Sequence, residues 1–259
     1  VEANKKAFAA GRLAAHDPAW KAKLSGREGT VVQLMRPQGL EKLIETRVRF
    51  LEDYQSASYA KRYLDFVRRV EAAGRAAAPE ARKLRPTHAV ACNLFKLMAY
   101  KDEYEVARLY TRPEFLADLR AQFEGDFQLQ FNLAPTWFAK RNAQGVPTKR
   151  AYGQWVLAMF KGLGALRRLR GTPFDPFGYT AERRQERQLI AEYRQLVERL
   201  LEGLNPDRLA DAARIAGLAE KIRGYGHIKD KSVRSYRKEL AAALDGAPHG
   251  RAAPALRMA

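Results

Sequence analysis

From Leu40 onward the apolar residues recur at intervals of three and four: Leu40, Leu43, Ile44, Val48, Leu51, Tyr54, Tyr59, Tyr63, Phe66, Val67 and Val70. Successive helical side chains are about 100° apart, so this spacing lays one apolar stripe along a helix and leaves the other face to charges. Such a stripe must be buried against other helices, which constrains the fold more than any other feature of the chain. Pro37 and Gly39 precede the run as a start signal, Gly74 lies past its end, and Ser56–Ser58 suggests a break inside it. The Ala/Arg/Pro stretch from Ala76 to Pro86 reads as a loop or frayed end.

The same period returns downstream. Val90, Leu94, Leu97, Met98 and Tyr104 predict a second helix after Pro86 and Thr87, continued by Leu109, and a shorter one runs from Pro113 to Phe123. Helices are also expected over about 153–169, 181–203, 206–217 and 230–244, with Thr180 as an N-cap. The period changes at Phe127: Phe127, Leu129, Phe131 and Leu133 alternate with Asp126, Gln128, Gln130 and Asn132, the pattern of a half-buried strand. Thr148 to Tyr152 is its expected partner across a turn. The expected fold is therefore mainly α, a multi-helix domain with one small β-hairpin. Residues 31–245 read as the helical domain and 246–259 as a disordered tail.

Forty-seven Lys and Arg against 29 Asp and Glu give a net charge of +18. The excess is uneven. Lys140, Arg141, Lys149, Arg150, Lys161, Arg167, Arg168 and Arg170 fall between Thr136 and Phe174 with no acidic residue among them. Lys221, Arg223, Lys229, Lys231, Arg234, Arg237 and Lys238 make a second stretch. Such clusters attract acidic partners, whether protein, nucleic acid or lipid. No run of about 18 apolar residues is present, so no membrane span is expected. The single cysteine, Cys92, excludes a disulfide framework within this chain and points to a reducing, cytoplasmic setting.

Catalytic signatures are missing: there is no GxxxxGK(S/T), GxGxxG or HExxH pattern. Gly162 and Gly164 lie in an amphipathic run and read as helix packing. His16, His88, His227 and His249 are isolated from Cys and carboxylates at metal-ligand spacing. His227 is the candidate with most company, because its loop also holds Arg223, Tyr225 and Lys229. Cys92, one turn before Lys96, reads as a small buried hydrophobe. Lys101, Asp102, Glu103 and Glu105 read as a solvated helix face, with Lys101 and Glu105 paired.

Four long strings carry a family resemblance: AVACNLFKLMAYKDEYEVARLYTRPEF, RAQFEGDFQLQFNLAP, LRGTPFDPFGYTAERRQERQLIAEY and KIRGYGHIKDKSV. Through them the chain resembles the C-terminal domain of the fused indolepyruvate ferredoxin oxidoreductases. The opening VEANKKAFAAGRLAAHDP is similar to the end of the catalytic domain that precedes it there, so the resemblance implies that residues 1–30 are the end of a preceding domain and a linker. The resemblance implies an oligomeric parent enzyme that uses thiamine diphosphate, magnesium and iron–sulfur clusters. That enzyme oxidatively decarboxylates indolepyruvate and related aryl pyruvates to acyl-CoA and reduces ferredoxin. It implies no catalytic, cofactor or metal residue in this chain. The family's thiamine diphosphate motif begins GDG and ends in paired Asn, whereas Gly125-Asp126 is followed here by Phe127 and no such pair; CxxCxxC is absent as well. The expected role is assembly or docking, with Lys140, Arg141, Lys149 and Arg150 facing ferredoxin or an acidic face of the parent. A basic helical module that binds nucleic acid is the runner-up.

Overall fold

A computed structural model describes residues 8–9, 11–13, 16, 39–81, 84–123, 128–133 and 148–245. The chain divides into two compact units, Val1–Gly39 and Leu40–Ala259. In the first, residues 8–9, 11–13 and 16 are helical. The second is mainly α with a small hairpin.

The long stripe folds as two helices, α1 (Leu40–Tyr54) and α2 (Ala57–Ala77). The break falls where the serines suggest it. Ser56 is extended and its hydroxyl accepts the Tyr59 N–H at 3.2 Å, which satisfies one of the donors that a helix start leaves open. Next comes α3 (Arg85–Met98), with Pro86 in its first turn, where a missing N–H costs nothing. The expected continuation to Leu109 does not occur. The chain stops after Met98 and restarts as α4 (Glu103–Tyr110), because the Asp102 carboxylate accepts the Glu105 N–H at 2.8 Å and caps a new helix. Pro113 opens α5 (Pro113–Gln122).

The hairpin is shorter than its alternation suggests. Strand β1 (Phe131–Leu133) pairs antiparallel with β2 (Arg150–Tyr152), Phe131 opposite Tyr152 and Leu133 opposite Arg150. Residues 128–130 form no ladder, and Phe127 lies outside the described residues. Then follow α6 (Val156–Ala165), a 3-10 turn at Leu166–Leu169, α7 (Ala181–Leu201) with Thr180 as its cap, α8 (Leu209–Gly217) and α9 (His227–Asp245). The stretch after Gly246 lies outside the described residues.

One apolar core joins α1, α2, α3, α7, α8 and α9 around Leu51, Phe66, Val67, Leu94, Leu189 and Ile215. A smaller one under the hairpin holds Ala107, Phe131, Val156 and Phe160. The Tyr110 ring lies 5.3 Å from that of Phe131 and 5.7 Å from that of Phe160. The glycine pair of α6 does serve packing at Gly164: a Cβ there would meet the Arg108 backbone at 3.8 Å, so α4 and α6 lie close together.

Buried tyrosines end their rings on backbone carbonyls. Tyr54 donates to Tyr100 O at 2.7 Å, Tyr59 to Met98 O at 2.9 Å and Tyr193 to Ala216 O at 2.9 Å. The second serves the last carbonyl of α3, which helix geometry leaves without an intrahelical donor, and the first a carbonyl just beyond that helix. Lys96 acts likewise on the turn after α8, donating to Ala219 O at 3.3 Å and Glu220 O at 2.6 Å. Burial, then the Arg223 charge, pulls the Lys96 pKa below its usual value.

Candidate functional site

The end of α1, the start of α4 and the loop between the Leu166–Leu169 turn and α7 meet at a buried polar clamp. Its centre is Arg170, whose side chain is 2% exposed, against Asp102 at 1%. Arg170 Nε lies 2.5 Å from Asp102 Oδ2 and Nη2 lies 2.8 Å from Oδ1, a two-pronged pairing that matches the planar guanidinium to the carboxylate. Nη1 donates to Tyr54 O, the guanidinium carbon sits 3.7 Å from the Tyr54 ring centroid, and Gln55 Nε2 donates back to Arg170 O. Burial opposes the Arg170 charge, but the bonds and charge of Asp102 outweigh it, so its pKa lies above the usual arginine range. Tyr54 goes the same way for another reason: burial, and then the nearby Asp102 charge, raise it.

A second buried carboxylate holds the loop. Asp175 accepts the Gly171 N–H at 2.8 Å, the Phe177 N–H at 3.1 Å and the Tyr104 hydroxyl at 3.0 Å. Arg183 reaches Glu103 at 3.2 Å, and Glu105 pairs with Arg108 at 2.7 Å. The acidic cluster is therefore not a solvated face: Asp102 and Glu105 are buried and take partners other than Lys101, which lies over the Tyr225 ring. Nor does Arg170 belong to an open basic patch.

Beside the clamp opens a cavity of ≈250 Å³. Arg62, Arg170, Arg187 and Arg194 line it together with Tyr59 and Tyr100, and no carboxylate is among its lining residues. Such a wall suits an anion rather than a cation or a nucleophile-driven reaction.

Residues 40–242 match the model of a family described as a family of unknown function, DUF6537. The chain belongs to the DUF6537 family. No curated protein and no solved structure matches it.

The residues singled out by sequence are scattered over this DUF6537 domain. Lys149 and Arg150 are exposed at the start of β2 and on it, without an ion pair among the described residues; Lys140 and Arg141 lie outside them. The loop Arg223, Tyr225, His227 and Lys229 does not converge on one point. Arg223 pairs with Glu220 at 2.9 Å, Lys229 with the buried Glu186 at 2.5 Å, and Tyr225 and His227 are exposed. His227 is the first residue of α9 rather than part of an irregular turn, which closes one residue earlier at Gly226. Cys92 is half-buried, 3.9 Å from His88 Nδ1, and Lys96 is spent on carbonyls instead. Among the described residues, no group of three or more His, Cys, Asp or Glu is placed to hold a metal ion. Among them too, no helix is long and apolar enough to cross a membrane.

Gly224 explains the turn before α9. Its φ is +94°, and a Cβ there would stand 2.6 Å from Ile228 Cγ2. Gly226 has φ +52° but meets nothing nearer than Glu182 Oε1 at 4.0 Å. Gly224→Ala is therefore expected to destabilise the domain by about 2–3 kcal/mol and Gly226→Ala by about 1 kcal/mol, since only the first adds a clash to backbone strain. Urea unfolding midpoints of the two variants check the order; equal losses would contradict it.

Proposed function

We propose that this DUF6537 domain is the C-terminal accessory domain of a fused indolepyruvate ferredoxin oxidoreductase. It serves assembly or docking in an enzyme that oxidatively decarboxylates aryl pyruvates to acyl-CoA and passes the electrons to ferredoxin. The observation that carries the reading is where the resembling strings fall in the fold. KDEYEVARLY brings Asp102, Tyr104, Glu105 and Arg108, and LRGTPFDPFGYTAERRQERQ brings Arg170, Asp175, Arg183, Glu186 and Arg187. The clamp needs both halves at once, because one half alone would leave a buried charge without its counter-charge. Two distant strings that resemble one family thus supply one interlocked joint.

The residues of this chain do not fit the cofactors of that enzyme. Iron–sulfur clusters take several thiolates, and Cys92 is the one cysteine here. The chemistry accordingly belongs elsewhere in such an enzyme, and this domain contributes surface. Exposed Lys149 and Arg150 suit an acidic protein, and charge complementarity speeds transient encounters between electron-transfer partners. The second basic stretch favours a nucleic-acid partner much less, because Lys221 pairs with Glu239, Arg223 with Glu220, Lys229 with Glu186 and Arg237 with Glu192.

The test uses the whole polypeptide in which the chain occurs. It is expected to reduce ferredoxin in the presence of indolepyruvate and CoA. Changing Lys140, Arg141, Lys149 and Arg150 to Glu should slow that reduction severalfold at low salt and flatten its salt dependence, with artificial dyes reduced normally. No reduction by the unaltered polypeptide would overturn the assignment. Unchanged ferredoxin kinetics in the variant would remove the docking surface.

A further inference from the structure

We propose that the arginine-lined cavity beside the clamp binds the phosphate group of a small organic phosphomonoester. Three of its four arginines form no ion pair with a carboxylate among the described residues. Arg170 is neutralised by Asp102 on the side of the clamp. Among the described residues, Arg62, Arg187 and Arg194 have no acidic partner. Arg62 and Arg194 are held by rings instead: their guanidinium carbons lie 4.9 Å from the Tyr59 centroid and 5.0 Å from the Phe66 centroid. A guanidinium stacked on a ring keeps its N–H edge available for an oxyanion. Arg187 donates from Nη2 to Gly178 O at 2.6 Å, and its Nη1 is buried with no partner. A buried N–H edge without an acceptor is satisfied by an oxyanion nearby.

Sequence spacing explains the convergence. Arg187 and Arg194 are seven residues apart on α7, two helical turns, and so point from one face. Arg62 faces them from α2. The Tyr100 hydroxyl adds a neutral donor, having no hydrogen-bond partner among the described residues; burial and the Asp102 charge push its pKa up to about 12, so it keeps its proton.

The arrangement also selects the ligand's chemistry. Several guanidinium forks suit a dianion with three acceptor oxygens better than a single carboxylate, which one fork saturates. The remaining wall, Met98, Ile190 and Ala191, is apolar and offers room for a small organic group. A cavity of ≈250 Å³ is near the lower end for small-molecule sites, which fits a small ester.

Phenyl phosphate is the probe, titrated calorimetrically into the 259-residue chain at fixed ionic strength. The expected result at pH 7 is saturable binding of one molecule per chain. It should weaken about tenfold or more in the Arg62→Gln/Arg194→Gln double variant and by less than about twofold in Arg199→Gln, which removes an exposed arginine outside the cavity. Affinity should also fall about tenfold between pH 7 and pH 5, because the second proton of a phosphomonoester has a pKa of about 6 while arginines stay charged. Absence of saturable binding, equal weakening by Arg199→Gln, or benzoate binding as tightly would overturn the proposal. Inorganic phosphate binding as tightly as the ester would overturn its organic part. Circular dichroism of each variant separates lost binding from lost fold, and the unaltered chain tests the proposal without any variant.

Discussion

Asp102→Ala is expected to cost the domain roughly 4–6 kcal/mol, the largest loss from any single polar side chain here. Two effects combine. Removing the carboxylate leaves the Arg170 charge almost completely buried without its counter-charge, a loss of about 3–5 kcal/mol for broken buried pairs. It also removes the cap of α4, typically about 1 kcal/mol. The double variant Asp102→Ala/Arg170→Met should recover part of that loss, since a buried pair and an apolar replacement of similar volume are often close in stability. A double-mutant cycle on urea unfolding separates the two contributions. A single-variant loss below about 1 kcal/mol would mean that Arg170 is solvated in the folded protein, against its 2% exposure.

Asp175→Ala should follow at about 3 kcal/mol. Its carboxylate takes the N–H groups of Gly171 and Phe177 and the hydroxyl of Tyr104. Alanine strands all three donors, and a bond to a charged group contributes more than a neutral one. Tyr104→Phe removes a single bond and should cost only about 1 kcal/mol. Because Gly171 lines the arginine cavity, Asp175→Ala is also expected to weaken phenyl phosphate binding, while Tyr104→Phe leaves it nearly unchanged. Thermal unfolding and the same calorimetric titration check both statements.

The helical architecture was legible because its signal is periodic and local. The α1–α2 stripe names its own buried residues: Ile44, Leu51, Tyr54, Tyr59, Tyr63, Phe66, Val67 and Val70 are all in the core. The hairpin was legible for the same reason, in the change of period, although only Phe131–Leu133 and Arg150–Tyr152 form the ladder. Helix boundaries near Asp102 were less so. Periodicity runs smoothly through Leu97, Tyr104 and Leu109, and the stop is written in one capping residue rather than in the pattern.

The clamp and the cavity were not legible, and the reason is physical. Asp102, Glu103 and Glu105 look like a solvated face when their neighbours in the chain are considered, because i,i+4 pairing is the nearest source of counter-charge. Their actual partners lie far away, at Arg170 and Arg183 in the case of Asp102 and Glu103. Arg170 falls in a basic stretch of the sequence, with its counter-charge equally far away. The signal that was available is the order Asp102-Glu103-Tyr104-Glu105, an N-cap followed by a first turn rich in acids, which marks a helix start rather than a helix face. The arginines of the cavity come from α2, α7 and the loop that precedes α7, and nothing in the linear sequence places Arg62 beside Arg194.

The clamp also bears on the order in which the chain folds. Asp102 and Arg170 are 68 residues apart, and Gln55 and Arg170 are 115 apart. Ring closure of such lengths costs entropy that grows only as the logarithm of the loop, so the longer loop exceeds the shorter by only about 0.5 kcal/mol. The expense lies instead in dehydrating two ions before their partners are in reach, which favours forming the helices and their apolar contacts first. A joint made that late barely affects the rate of folding and acts mainly on the rate of unfolding. The clamp is then a latch on the finished domain, and a variant without it would fold at nearly the normal pace and come apart sooner.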